Sequence, residues 1–427
     1  MARKMKDSGI EWIGEIPEGW RAINPKALFT QRKDKAQKGE RQLTSSQQYG
    51  ILYQDDYMEL TGSKVVTVEK DFNILKHVEA GDFVISMRSF QGGLEYSTKS
   101  GAISSAYVML VPNLELVYPR FYRWLLKSSV YIDALQRTTN MVRDGQAMRY
   151  SNFAQVRLFT LPLDEQKSRA DFLDVKCSSI DKMLSKTRSS IEEYKKLKQA
   201  VITQAVTKGV RGKREMKDSG VEWIGAIPKD WEIKRLKSFC TIVDCKNRTP
   251  DVFPDGKYTV VRTTCIKDCS FSYEGSYQTD TTNFKAWTLK GQPHKGDIFF
   301  TREAPVGEAC LVPNADNLCM GQRVMFFRPE DNSDARYIMY SIYGPLVREY
   351  IASKNSGSTV GHLKLGQVAC IPIFYCPPLE QKEIADYLDA KCAEIDGLVA
   401  KKEQLVKELE SYKKSLIYEV VTGKREV

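Results

Sequence analysis

Between Asp164 and Val206 the seam positions recur at alternating steps of four and three residues. They are Leu173, Cys177, Ile180, Leu184, Thr187, Ile191, Tyr194, Lys198, Val201 and Ala205. A period of 3.5 predicts a helix with a coiled-coil stripe. The stripe returns between Glu380 and Val421, as Leu388, Cys392, Ile395, Val399, Lys402, Val406, Leu409, Lys413, Leu416 and Val420. The offset is constant at 215 residues, and Lys198 and Lys413 interrupt the two seams at the same place. Each helix is about 43 residues, or roughly 64 Å at 1.5 Å per residue. Helices of this kind are stabilised chiefly by packing their apolar face, and the nearest matching face is the other copy. The pattern therefore predicts an antiparallel intramolecular coiled coil. The competing reading is two amphipathic helices lying on separate globular cores.

The segments outside the helices are duplicated as well. Met5 to Pro17, MKDSGIEWIGEIP, reappears as Met216 to Pro228, MKDSGVEWIGAIP, and each copy continues to a tryptophan, Trp20 or Trp231. Trp12 and Trp223 within these copies are expected to pack each block's start against its own core or a neighbouring helix. Strands are predicted at Lys64–Val68, Asp82–Met87 and Ala106–Val111 in the first block, and at Tyr258–Arg262, Asp297–Thr301 and Arg323–Arg328 in the second. One helical piece follows in each, Arg120–Leu135 and Ala335–Ile351. LPLDEQ (Leu161 to Gln166) and PPLEQ (Pro377 to Gln381) open the long helices, with proline and then acid suited to a helix N-terminus. GKRE follows both helices, at Gly212 to Glu215 and Gly423 to Glu426, so the repeat is almost circular and the two chain ends should lie near one another.

The expected fold is thus α+β, with two strand-rich mixed domains (1–163 and 216–379) separated by two helical spacers (164–215 and 380–427) in a pseudo-two-fold tandem repeat. Two similar readers related by a two-fold axis suit the antiparallel strands of a DNA duplex. The coil would then act as a ruler, setting the readers one to two helical turns of DNA apart, at about 35 Å per turn.

Charge sharpens this picture. Of a net +10, the 164–215 segment carries 13 basic and 8 acidic residues, and the 380–427 segment carries 9 and 11. The strand-rich blocks therefore hold most of the positive excess, which suits a polyanionic partner. Neither a membrane-spanning apolar run nor a signal-peptide core is present, so the cytoplasm is the expected location. Ten cysteines in 427 residues do not form a disulfide framework, and reduced thiols are expected.

Catalytic chemistry is not found. The three histidines, His77, His294 and His362, have no metal-ligand spacing, and neither Cys265 with Cys269 nor Cys240 with Cys245 makes a zinc knuckle. There is no Walker loop and no Gly-x-Ser-x-Gly elbow. The chain is expected to have no catalytic residues, metal or cofactor of its own. What it offers is side chains suited to DNA. In the second block these are Lys246, Asn247, Arg248 and Thr249, then Thr301 and Arg302, Gln322 and Arg323, and the polar loop with Ser358 and Thr359. Arginine can pair with guanine and glutamine with adenine. In the first block the counterparts differ: Arg88, Ser89 and Gln91, Tyr107, and Arg143 and Arg149. Similar scaffolds with dissimilar loop residues imply two readers of two different half-sequences.

These motifs together resemble the DNA-specificity (S) subunits of type I restriction-modification systems. The carriers are SGIEWIGEIP and SGVEWIGAIP, GDIFFTREAPVG with CMGQRVMFFRP, GSTVGHLKLGQVACIPI, and the LPLDEQ and PPLEQ helix openings. The resemblance spans essentially the whole chain. It implies two target recognition domains that read a bipartite double-stranded DNA site, and helical regions that dock two methyltransferase subunits for adenine methylation. A restriction chain would be a further partner, with S-adenosylmethionine and ATP used by the partner chains. The second block fits through Arg302, Gly307, Gln322 and Arg323. The first departs, with Ala106-Tyr107 in place of Gln322-Arg323 and Gly145 to Arg149 in place of the GSTVGH loop. A coiled-coil scaffold that binds only proteins is the alternative.

Overall fold

The computed structural model describes residues 3–68, 72–86, 94–138, 150–355 and 361–427. Two compact units result. One comprises Met1–Arg188 with Gln404–Val427, and the other Ser189–Glu403. The helical segments are not bodies of their own, because each unit takes part of each long helix.

Each unit holds a four-stranded antiparallel sheet of the same order. In the first unit the neighbours are Phe29–Arg32, Tyr107–Pro112, Phe83–Ser86 and Leu94–Tyr96. In the second they are Cys240–Val243, Val324–Pro329, Ile298–Thr301 and Ala309–Leu311. Strand alternation explains the apolar runs. Ile298 and Phe300 enter one core and Phe299 another, just as Phe83 and Ile85 part from Val84 in the first unit.

The predicted strand at Lys64–Val68 does not form. Val66 is 87% exposed, and the Val68 N–H donates to the Gln42 side chain instead of to a ladder. Each predicted single helix is broken in two. The first gives Pro119–Leu126 and Ser129–Gln136, and the Ser128 hydroxyl between them donates back to Leu125 O. The second gives Ala335–Ile342 and Pro345–Asn355, divided at Gly344-Pro345, where the ring removes a helical donor.

The long helices run Leu163–Lys208 and Pro378–Val421, slightly beyond their predicted bounds. In the first unit Lys413 binds Asp181 and Arg188 binds Glu410. In the second, Lys198 binds Asp396 and Lys402 lies over the Tyr194 ring. Numbers rising on one helix meet numbers falling on the other, so the pair is antiparallel in both units. Leu173, Ile180, Leu184, Ile191, Leu388, Ile395 and Leu416 are buried, and Tyr194, Val201, Val399, Val406 and Leu409 are half-buried.

The repeated helix openings prove to be locks. Glu380 is fully buried, with Arg214 at 2.6 Å and that guanidinium over the buried Trp231 ring. The first unit repeats this with Arg3 and Arg169 on Glu165, both above Trp20, whose Nε1 donates to Glu165 at 3.1 Å. Gly209 and Gly423 close the two helices with positive φ, and a Cβ at either would meet the tryptophan or its neighbours within 3 Å. The next residue also has a repeated task. Gln166 accepts from Tyr118 N and donates to Leu161 O, while Gln381 accepts from Asp334 N and donates to Cys376 O. Arg169 further donates to Val420 O and Arg425 O, which ties the chain's last turn into the unit that holds its first residues. The two opening tryptophans differ. Trp12 packs edge-on to Tyr131 and donates to Arg157 O, but Trp223 is 63% exposed and so does not pack as expected.

Burial alone would raise the Glu165 pKa, but bonds from Arg3, Arg169 and Trp20 outweigh it and hold the carboxyl at about 2. A depressed carboxyl stabilises the fold at neutral pH, and that contribution is lost as pH falls from the ordinary value of 4.5 through about 2. Thermal melts between pH 7 and pH 3 should show a steeper loss for the native chain than for Glu165→Gln.

Candidate nucleic-acid interface

In the second unit four chain segments converge beyond the Ile298–Thr301 strand. Thr301 is fully buried; its hydroxyl donates to Pro305 O at 2.6 Å and accepts from Glu308 N at 2.9 Å. It pins the turn, and its side chain is buried rather than exposed as its place at a strand end suggests. Arg302 is the junction. Its backbone N–H donates to Arg323 O and its carbonyl accepts from Leu363 N, both at 3.0 Å. The guanidinium, in a residue only 9% exposed, reaches Asp244 at 3.2 Å and Asn247 Oδ1 at 2.9 Å. Arg302 is therefore held beneath the surface by Asp244 and Asn247, and does not stand free as its place after a strand suggests. Burial pushes the adjacent Cys245 thiol up, so it adds no charge at neutral pH.

Gln322 and Arg323 stand above this junction. Gln322 Nε2 donates to Asn247 O at 3.2 Å. Arg323 adopts φ +77°, a left-handed conformation that few residues other than glycine accept. Glu303 lies between Arg323 and His362, each at 3.4 Å. Lys246 sits 4.6 Å and Arg248 5.4 Å from the Trp287 ring centre, and Trp287 Nε1 donates to Arg248 O at 3.2 Å. Asn247, Arg248 and Thr249 are exposed.

The structure thus brings together Lys246, Asn247, Arg248, Arg302, Gln322 and Arg323, from three separate stretches of sequence. Ser358 and Thr359 lie outside the described residues. Three contributors escaped sequence reading: Asp244, Glu303 and Trp287. Asp244 and Glu303 adjoin chosen residues and could have been noticed, whereas Trp287 sits 39 residues from the backbone group it holds and has no motif. Exposed cations beside amide groups can neutralise phosphates and hydrogen-bond to base edges.

In the first unit Arg88, Ser89, Gln91, Arg143 and Arg149 lie outside the described residues. Tyr107 begins a central strand, and its carbonyl accepts from Lys76 Nζ at 2.6 Å. Arg32, in the basic run near the start, is held at the buried Asp82 by two hydrogen bonds, as Arg328 is at Asp297 in the second unit. Both arginines fix the sheet. Among the described residues no group of three or more His, Cys, Asp or Glu is placed to hold a metal, and no helix is long and apolar enough to cross a membrane.

Comparison with known proteins agrees with this architecture. Residues 228–408 match the profile of the type I restriction modification DNA specificity domain. A protein of Methanocaldococcus jannaschii, provisionally named the type I restriction enzyme MjaX specificity subunit, is 22% identical over 427 residues, covering 96% of this chain and 95% of its own. The type I restriction enzyme MjaVIII specificity subunit of the same organism is 23% identical over 360 residues, covering 81% of this chain and 80% of its own. A solved chain described under complex assembly and conformational transition of the type I R-M system superposes with a TM-score of 0.68 at 14% identity, over 96% of this chain and 99% of that one. The duplicated α+β scaffold, its antiparallel helices and these relatives agree: residues 228–408 carry the type I restriction modification DNA specificity domain, and the chain along its length is similar to type I specificity subunits.

Proposed function

We propose that this chain reads a bipartite, asymmetric DNA site with its two strand-rich domains, held apart by the paired helices, and docks methyltransferase subunits that methylate adenine. The observation that carries the reading is the network in the second unit. Three loops distant in sequence meet there, presenting Lys246, Arg248 and Arg323 as cations and Asn247 and Gln322 as amides. The cations supply affinity through phosphate neutralisation, and the amides and Arg323 supply discrimination between bases. Arg302 holds Asn247 in place from below. A similar sheet in the first unit, with different loop residues, supports a second and different half-site. Methyl transfer from S-adenosylmethionine and ATP-driven steps belong to partner chains in this reading.

Gln322→Ala and Arg323→Ala should each cost about 1 to 3 kcal/mol of binding to the preferred duplex if each reads a base. Competition assays with single-base variants would measure this. The preference should relax at one position of one half-site. An equal loss on every sequence would make both residues phosphate contacts. Stable complexes with protein partners that ignore DNA sequence would favour the scaffold alternative.

A further inference from the structure

We propose that Trp287 is the positioning residue of a phosphate clamp: its indole holds Lys246 and Arg248 together so that the two cations engage the DNA backbone as one unit. The inference rests on the DNA-reading surface argued above and deepens it. Two lysine or arginine side chains two positions apart repel each other and are otherwise free to diverge. Here both charges gather on one ring, at 4.6 and 5.4 Å from its centre, where the negative face of the indole offsets their repulsion. The same indole fixes the loop backbone through its donation to Arg248 O. Asn247, between the two cations, is held by Arg302 through its side-chain oxygen. The loop is therefore fixed by two different partners, with cations on the indole and the amide on the guanidinium. That division suits simultaneous phosphate and base contact. The ligand is a backbone phosphate of a duplex, which two converged cations can bind more strongly than two independent ones.

The test uses the full chain assembled with its modification partner, binding a fluorescent duplex over a range of salt. Each phosphate contact contributes about 0.9 to the slope of log affinity against log salt concentration. Lys246→Ala and Arg248→Ala should each lower the slope by about one. Trp287→Leu, which keeps apolar bulk and removes the π face, should lower it by about one to two. Trp287→Phe, which keeps a π face and loses the N–H donor, should retain most of it. In the Lys246→Ala/Arg248→Ala background, Trp287→Leu should change nothing further. A Trp287→Leu protein that melts like the native chain and keeps the native slope would overturn the clamp alone. A further loss in the double-alanine background would overturn it too. A native assembly whose affinity does not fall with salt would overturn the DNA reading, and the clamp with it.

Discussion

Replacing Arg214 with alanine should cost about 3 to 5 kcal/mol of stability, because it strips the close partner from a carboxylate with no solvent access. Glu380 would keep Arg211, at 3.7 Å, and Trp231 would lose the guanidinium over its ring. For a unit of roughly this size such a loss lowers Tm by about 10 °C. Calorimetry should show the transition of the Ser189–Glu403 unit moving down. Adding Glu380→Leu to Arg214→Ala should recover part of the loss, since the buried charge is then gone. A single alanine variant that melts within a degree of the native chain would show that the lock contributes little.

The second large effect belongs to Arg302. Arg302→Ala should cost about 3 kcal/mol of stability by leaving Asp244 without its partner. Its effect on recognition should differ from that of a base reader. Asn247 loses its guanidinium donor, so preference should blur at several positions of one half-site together, while the other half-site stays intact. Arg302→Lys should restore charge near Asp244 and leave the preference blurred, because lysine lacks the fork that reaches both partners. Loss at a single base position, with stability unchanged, would return Arg302 to the role of a direct reader.

Much of the architecture was legible in the sequence because it is written twice. The 215-residue offset exposed the paired helices, and a 3.5-residue period requires a partner for the apolar seam. The strands at Asp297–Thr301 and Arg323–Arg328 were legible because covered strands read as apolar runs. The breaks at Ser128 and Gly344 were missed because apolar periodicity continues across them. The tasks of Glu380 and Glu165 were hidden for a different reason. Their partners Arg214 and Arg3 lie far away in sequence and precede a repeated motif that drew attention to itself. At the reading surface, residue type located the loops, but burial assigned the roles. Thr301 and Arg302 look like contact residues in sequence, but Thr301 is buried with its hydroxyl bonded internally and Arg302 is held by Asp244 and Asn247. Trp287 carries no local signature, since its function depends on where a short helix places its last residue.

The central claim is that one chain carries two unlike readers, and methylome sequencing of cells expressing it with its modification partner tests this most directly. The account predicts methylated adenines within a two-part consensus of unlike halves separated by a fixed gap. A single uninterrupted motif, two identical halves, or no adenine motif dependent on this chain would contradict it.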